Sequence, residues 1–137
     1  MVTLQTTIRN NIGDLESVRD LVSKLECACA LPEKTVFDIN VVLDELLSNI
    51  IHYGYADDLP HEIGVTLSVR NAVVEISIKD DGKAFDPLTA PEPDLTLSLA
   101  ERPIGGLGLH FVRQLMDDVE YKREDNFNYL LLKKNIA

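Results

Sequence analysis

The chain has no tryptophan, two cysteines and three histidines among its 137 residues, and its 13 Lys and Arg are outnumbered by 23 Asp and Glu. The scarcity of basic residues leaves a formal net charge of −10, a surface that repels phosphate backbones and argues against direct nucleic-acid binding. Cys27 and Cys29 stand too close for an ordinary disulfide, and two thiols do not make a zinc site, so they read as small apolar residues in a helix. His52, His61 and His110 show no metal-ligand spacing. No apolar run approaches the ~18 residues of a membrane span. The start, Met1-Val2-Thr3-Leu4-Gln5, lacks the charged and apolar regions of a signal peptide. The expectation is a cytoplasmic protein without a membrane partner. What is abundant is apolar side chain, 45% of the whole, which predicts one soluble globular domain over residues 1–137.

Periodicity divides the chain into elements. Leu4, Thr6 and Ile8 alternate with Gln5 and Thr7 as an edge strand would. After the turn Asn11-Ile12-Gly13-Asp14, with Asp14 as candidate N-cap, Leu15, Val18, Leu21, Val22, Leu25 and Cys29 recur at helical spacing until Leu31-Pro32. A second helix is predicted over 33–53, with Val36, Ile39, Val42, Leu43, Leu46, Ile50 and Tyr53 as its apolar stripe. Strands over about 62–69 and 73–79, joined by Arg70-Asn71, read as a hairpin, and a final hairpin is expected around Asp125-Asn126. Four of six prolines fall within 82–104, an irregular stretch of lid or binding-loop length in which a short helix near 95–101 is expected. A firm helix follows over 107–116. The order β-α-α-β-β-lid-α-β-β favours a two-layer α/β sandwich: a mixed, mostly antiparallel sheet with about three helices on one face.

Three segments carry candidate chemistry. On the second helix Asp38, Glu45, Asn49 and His52 form one polar stripe. It reads either as a solvated face or, at Glu45 and Asn49, as a carboxylate and an amide one turn apart that hold hydrated Mg²⁺ and orient a nucleophile. Asn49 is the more telling residue, a mediocre helix former between Leu46-Leu47 and Ile50-Ile51. Asp80 continues the strand face of Val74, Ile76 and Ile78, so its carboxylate points coreward and needs a donor; an adenine amine would serve. The bland reading is a strand-end acid before an Asp81-Gly82 turn. Gly105-Gly106-Leu107-Gly108 precedes an amphipathic helix, where exposed N–H groups and the helix dipole favour phosphate; otherwise it is a flexible connection. Arg102, just upstream, is either a phosphate contact or a solvated loop arginine.

At these residues the sequence resembles the histidine-kinase-like ATPase superfamily, the Bergerat fold. Glu45-x-x-x-Asn49 is similar to its N-box, Asp80-x-Gly82-x-Ala84 to its first glycine box, and Gly106-x-Gly108-Leu109 to its second. A lone domain of this length, with Gly54-Tyr55 after Asn49, most resembles the anti-sigma-factor serine/threonine kinases. The resemblance implies that Glu45 is the general base for a substrate hydroxyl, Asn49 a Mg²⁺ ligand and Asp80 the reader of adenine. It implies that Gly82, Ala84, Gly105, Gly106, Leu107 and Gly108 shape the ATP pocket, with Arg102 beside it and residues 86–104 as the lid. It further implies phosphorylation of an anti-anti-sigma protein, sequestration of a sigma factor, and a homodimer. Ala84 replaces the second glycine of its box, and Tyr53 stands where relatives carry a smaller or polar residue. The alternative in another class is a non-catalytic, ATP-gated binding module, which would need Asn49 and Asp80 but not Glu45.

Overall fold

The computed structural model describes residues 1–87 and 106–136. Strand β1 (Val2–Arg9) leads through a 3₁₀ turn (Ile12–Asp14) into helices α1 (Leu15–Cys29) and α2 (Glu33–Tyr53). Strands β2 (Glu62–Arg70) and β3 (Val73–Asp80) follow, then helix α3 (Gly106–Leu115) and strands β4 (Asp118–Glu124) and β5 (Phe127–Asn135). The five strands form one sheet in the order β1-β2-β3-β5-β4. All four pairings are antiparallel, where a mixed, mostly antiparallel sheet was expected. The reason is connectivity: β2–β3 and β4–β5 are tight hairpins, and the chain re-enters beside β3 only after reversing through β4.

Both hairpins turn on two residues with positive φ, Asn71 and Ala72 at 52° and 60°, Asp125 and Asn126 at 54° and 68°. Such turns match the twist of the flanking strands. The first lies one residue later than expected, because Arg70 still pairs with Val73. Asp14 occupies the position before α1, but its carboxylate accepts from Arg9 N–H at 3.0 Å instead of capping the helix. Ala30, in the left-handed conformation, closes α1. Cys27 is exposed and Cys29 half-buried, so the first of these does not serve the core as expected.

Alternation along β2, β3 and β5 turns Ile63, Val65, Leu67, Val74, Ile76, Ile78, Leu130 and Leu132 inward. The stripes of α1 and α2, including Val22, Leu25, Ile39, Leu43 and Leu47, close the same core. Asp38, expected on a solvated face, is instead 2% exposed. Its Oδ2 accepts from Lys34 Nζ at 2.9 Å and pairs with Lys134 Nζ of β5 at 3.2 Å. Lys134 also donates to the carbonyl of Leu115 at 2.7 Å, so one ammonium joins α2, α3 and β5. Burial opposes ionisation of Asp38, yet the two lysines together hold its pKa below the ordinary carboxylate value.

Candidate nucleotide site

Helix α2 and the end of β3 meet at a cavity of about 450 Å³. The helix supplies Leu46, Asn49, Ile50 and Tyr53; the sheet supplies Asp80, Tyr121, Asn128 and Leu130; the segment after β3 supplies Lys83, Ala84, Phe85 and Pro87. The lining is mostly apolar with a few polar groups converging on it, the usual composition of a small-molecule site.

Glu45 and Asn49 are half-buried one turn apart, and Asn49 Nδ2 donates to Glu45 Oε1 at 3.0 Å. That bond commits the amide nitrogen to the carboxylate. The amide oxygen of Asn49 accepts no hydrogen bond among the described residues and belongs to a side chain lining the cavity. Glu45 itself is not a lining residue and connects to the cavity through Asn49.

Asp80 is 5% exposed. It is not the donorless acid expected from strand parity: Gly82 N–H donates to its Oδ1 at 2.8 Å and Asn128 Nδ2 at 3.0 Å. Burial raises its pKa above the carboxylate norm, while those two bonds pull the other way. Gly82 is required by space. A Cβ there would stand 2.6 Å from the Gly54 carbonyl oxygen and 3.0 Å from Asp80 Oδ1. The contact is reinforced by Lys83 N–H donating to that carbonyl at 2.7 Å, which ties the end of α2 to the segment after β3. Ala84 and Phe85 are exposed on the cavity rim, and Tyr53, counted in the apolar stripe of α2, is 49% exposed there.

Gly106, Leu107 and Gly108 form the first turn of α3, and α3 packs on α2. Gly105, Arg102, most of the lid expected over 86–104 and the short helix near 95–101 lie outside the described residues. Pro87 is held by Arg113 of α3, whose Nη2 donates to its carbonyl at 2.7 Å.

Two groups near the site escaped the sequence reading. Asn128 is buried opposite Asp80 in the β3–β5 register. The available signal was parity, an asparagine on the same strand face as Leu130 and Leu132. The other is His61, whose Nε2 lies 2.6 Å from Asp57 and whose Nδ1 lies 3.2 Å from Asp81. Both partners only accept when ionised, so the geometry suits the doubly protonated ring, and the Asp57 bond foremost raises its pKa. Tyr55 stacks on the imidazole, centroids 4.1 Å apart, and its buried hydroxyl has no partner among the described residues. Burial first, then Asp80, Asp81 and Asp57, push that phenol's pKa upward.

An α/β layer thus places a helix-borne amide and a strand-end carboxylate around one cavity. The chain belongs to the histidine kinase-like ATPase domain family, whose profile matches residues 8–134. It is similar to the serine/threonine-protein kinase BtrW of Bordetella bronchiseptica, 35% identical over 101 residues covering 74% of this chain and 71% of BtrW. It is also similar to the serine-protein kinase RsbW of Bacillus cereus, 26% identical over 100 residues covering 70% of this chain and 62% of RsbW. Among solved structures, the RsbU and RsbW domains of Rv1364c from Mycobacterium tuberculosis superpose with a TM-score of 0.71 at 17% identity. That superposition covers 99% of this chain and 33% of the other, and shows the shared fold. A blue-light activated histidine kinase of Erythrobacter litoralis matches 77% of this chain and 32% of its own, with a TM-score of 0.56 at 17% identity.

Proposed function

We propose that the chain is an ATP-dependent serine/threonine protein kinase that phosphorylates an anti-anti-sigma partner and sequesters a sigma factor. The observation that carries this reading is the cavity bounded by Asn49 on one element and Asp80 on another, with Glu45 hydrogen-bonded to Asn49. The kinase names of BtrW and RsbW support it. In this reading Asp80 accepts from the adenine amine, while Leu46, Ile50 and Leu130 exclude water from the base. The N–H groups of the first turn of α3 meet phosphate oxygens, with Gly105 and Arg102 adding to them.

The residues suit Mg²⁺. Asn49 offers an uncommitted amide oxygen, a hard donor of the kind this ion takes. Mg²⁺ takes few protein oxygens and keeps several waters, so its other ligands would be phosphate and water. Bound there, Mg²⁺ would neutralise developing phosphate charge. Glu45 would take the proton from the partner's hydroxyl as that oxygen bonds to the γ-phosphorus and the bond from that phosphorus to the β–γ bridging oxygen breaks, releasing ADP.

One observation favours the non-catalytic alternative: Glu45 is not itself a lining side chain. Phosphotransfer decides between them. Positioned bases contribute ~10²–10⁴-fold to rate, so Glu45→Gln should abolish transfer of labelled phosphate to the partner while ATP binding survives. Absence of transfer from the wild-type protein to its partner would leave the binding module. A homodimer is part of the proposal, with light scattering as its check.

A further inference from the structure

We infer that Asn128 is the positioning residue for base selection: its amide holds Asp80 Oδ1 so that Oδ2 is the oxygen presented to an adenine amine. The inference rests on the nucleotide reading above and deepens it by naming the residue that orients the base-reading acid.

The hydrogen-bond network leaves one orientation for this amide. Tyr121 OH donates to Asn128 Oδ1 at 2.5 Å and Arg123 Nη1 donates to the same oxygen at 3.0 Å. Two donors on one side make that atom the carbonyl oxygen. The NH₂ group is thereby turned to the other side, where it meets three acceptors. Nδ2 donates to Asp80 Oδ1 at 3.0 Å and to Lys83 O at 2.8 Å, with Gly82 O at 3.5 Å. Arg123 reaches the same loop, donating to Gly82 O at 2.8 Å.

The consequence falls on the two oxygens of Asp80. Oδ1 already accepts from Gly82 N–H and from Asn128. Oδ2 accepts from nothing among the described residues, and Asp80 lines the cavity. A carboxylate with one oxygen committed and one free offers a single acceptor in a single direction. That geometry favours a base bearing an exocyclic amine over one bearing a carbonyl at the same position, which would set two acceptors face to face. Asn128 is directly across from Asp80 in the register, so its hold acts through a cross-strand pair within the sheet.

The test compares ADP with IDP, which share sugar and phosphates and differ at the six-position amine. Calorimetry on the wild-type chain should show a preference for ADP. Asn128→Leu removes the hold, and the ADP/IDP affinity ratio should narrow by about tenfold, the scale of one hydrogen bond to a charged group. A residue needed only for folding would weaken both ligands together and leave the ratio unchanged. Because Asn128→Leu strands the donors of Tyr121 and Arg123, Tyr121→Phe serves as the milder variant. It releases one anchor of the amide and should narrow the ratio by about two- to fivefold, the low end for a neutral bond. A wild-type ratio retained in folded Asn128→Leu overturns the inference; if that variant does not fold, a ratio unchanged in Tyr121→Phe overturns it. Failure of the wild-type chain to bind ADP at all would instead sink the nucleotide reading, and this inference with it.

Discussion

At the scale of single residues, Asp80 is the side chain whose replacement separates chemistry from folding. An asparagine at 80 keeps an oxygen for Gly82 N–H and Asn128 but turns an NH₂ group toward the cavity. Donor then faces donor where an adenine amine would bind. Hydrogen bonds to charged groups contribute ~1.5–3 kcal/mol, so Asp80→Asn should weaken ADP binding about ten- to hundredfold. Calorimetry giving equal affinity for the two proteins would remove Asp80 from base recognition. That Asp80 faces inward was readable from its parity with Val74, Ile76 and Ile78; that it already has donors was not. Gly82 N–H is two residues away, but Asn128 comes from a strand formed much later in the chain.

Between elements, two charged contacts connect segments that periodicity treats as independent. Asp38 joins α2 to Lys134 of β5, and removing the acid leaves an ammonium that is 15% exposed without its counter-ion. Breaking such a pair in a full interior costs ~3–5 kcal/mol; with the lysine partly wet, Asp38→Asn should cost roughly 2–3 kcal/mol in urea unfolding. The pH dependence has a definite sign. The folded pKa of Asp38 is depressed, so its contribution is present above the unfolded value near 3.8 and is lost as pH falls through the folded one. The deficit of Asp38→Asn relative to wild type should therefore shrink in acid, and an undiminished deficit at the lowest pH would exclude this origin.

His61 runs the opposite way. Bonded foremost to Asp57 and also to Asp81, its folded pKa is raised, so the stabilisation is full below the unfolded value near 6.5 and disappears as pH rises through the folded one. Wild type should lose stability relative to His61→Gln in the window that opens near pH 6.5 and extends upward through the raised folded pKa. Parallel unfolding curves across that window would show that the clasp between the loop after α2 and the end of β3 adds nothing.

For the whole molecule the dominant fact is the charge of −10. Exposed pairs such as Arg19–Asp44 and Lys122–Glu124 contribute little each, so self-repulsion among the unpaired acids should outweigh them. Raising salt from ~0.01 M to ~0.15 M shortens the screening length from about 30 to about 8 Å and should raise the melting temperature. A lower melting temperature in the higher salt would mean that the surface pairs dominate instead. No helix among the described residues is long and apolar enough to cross a membrane.

What the sequence determined by itself is what depends on neighbours along the chain. The period of 3.6 in α1 and α2, the alternation in β2, β3 and β5 and the turn residues Asp125-Asn126 were all legible, because backbone geometry repeats locally. So were the residues that flank the cavity, Asn49 and Asp80, since each breaks its local pattern in a recognisable way. The tertiary structure alone decided which oxygen of Asp80 Asn128 engages, that Asp38 is a buried link to Lys134, and that His61 is held between two carboxylates. Each of these joins residues brought together only when the sheet order β1-β2-β3-β5-β4 is set and the helices close on it. A side chain's hydrogen bonds and its ionisation depend on that through-space company, and spacing along the chain does not contain it.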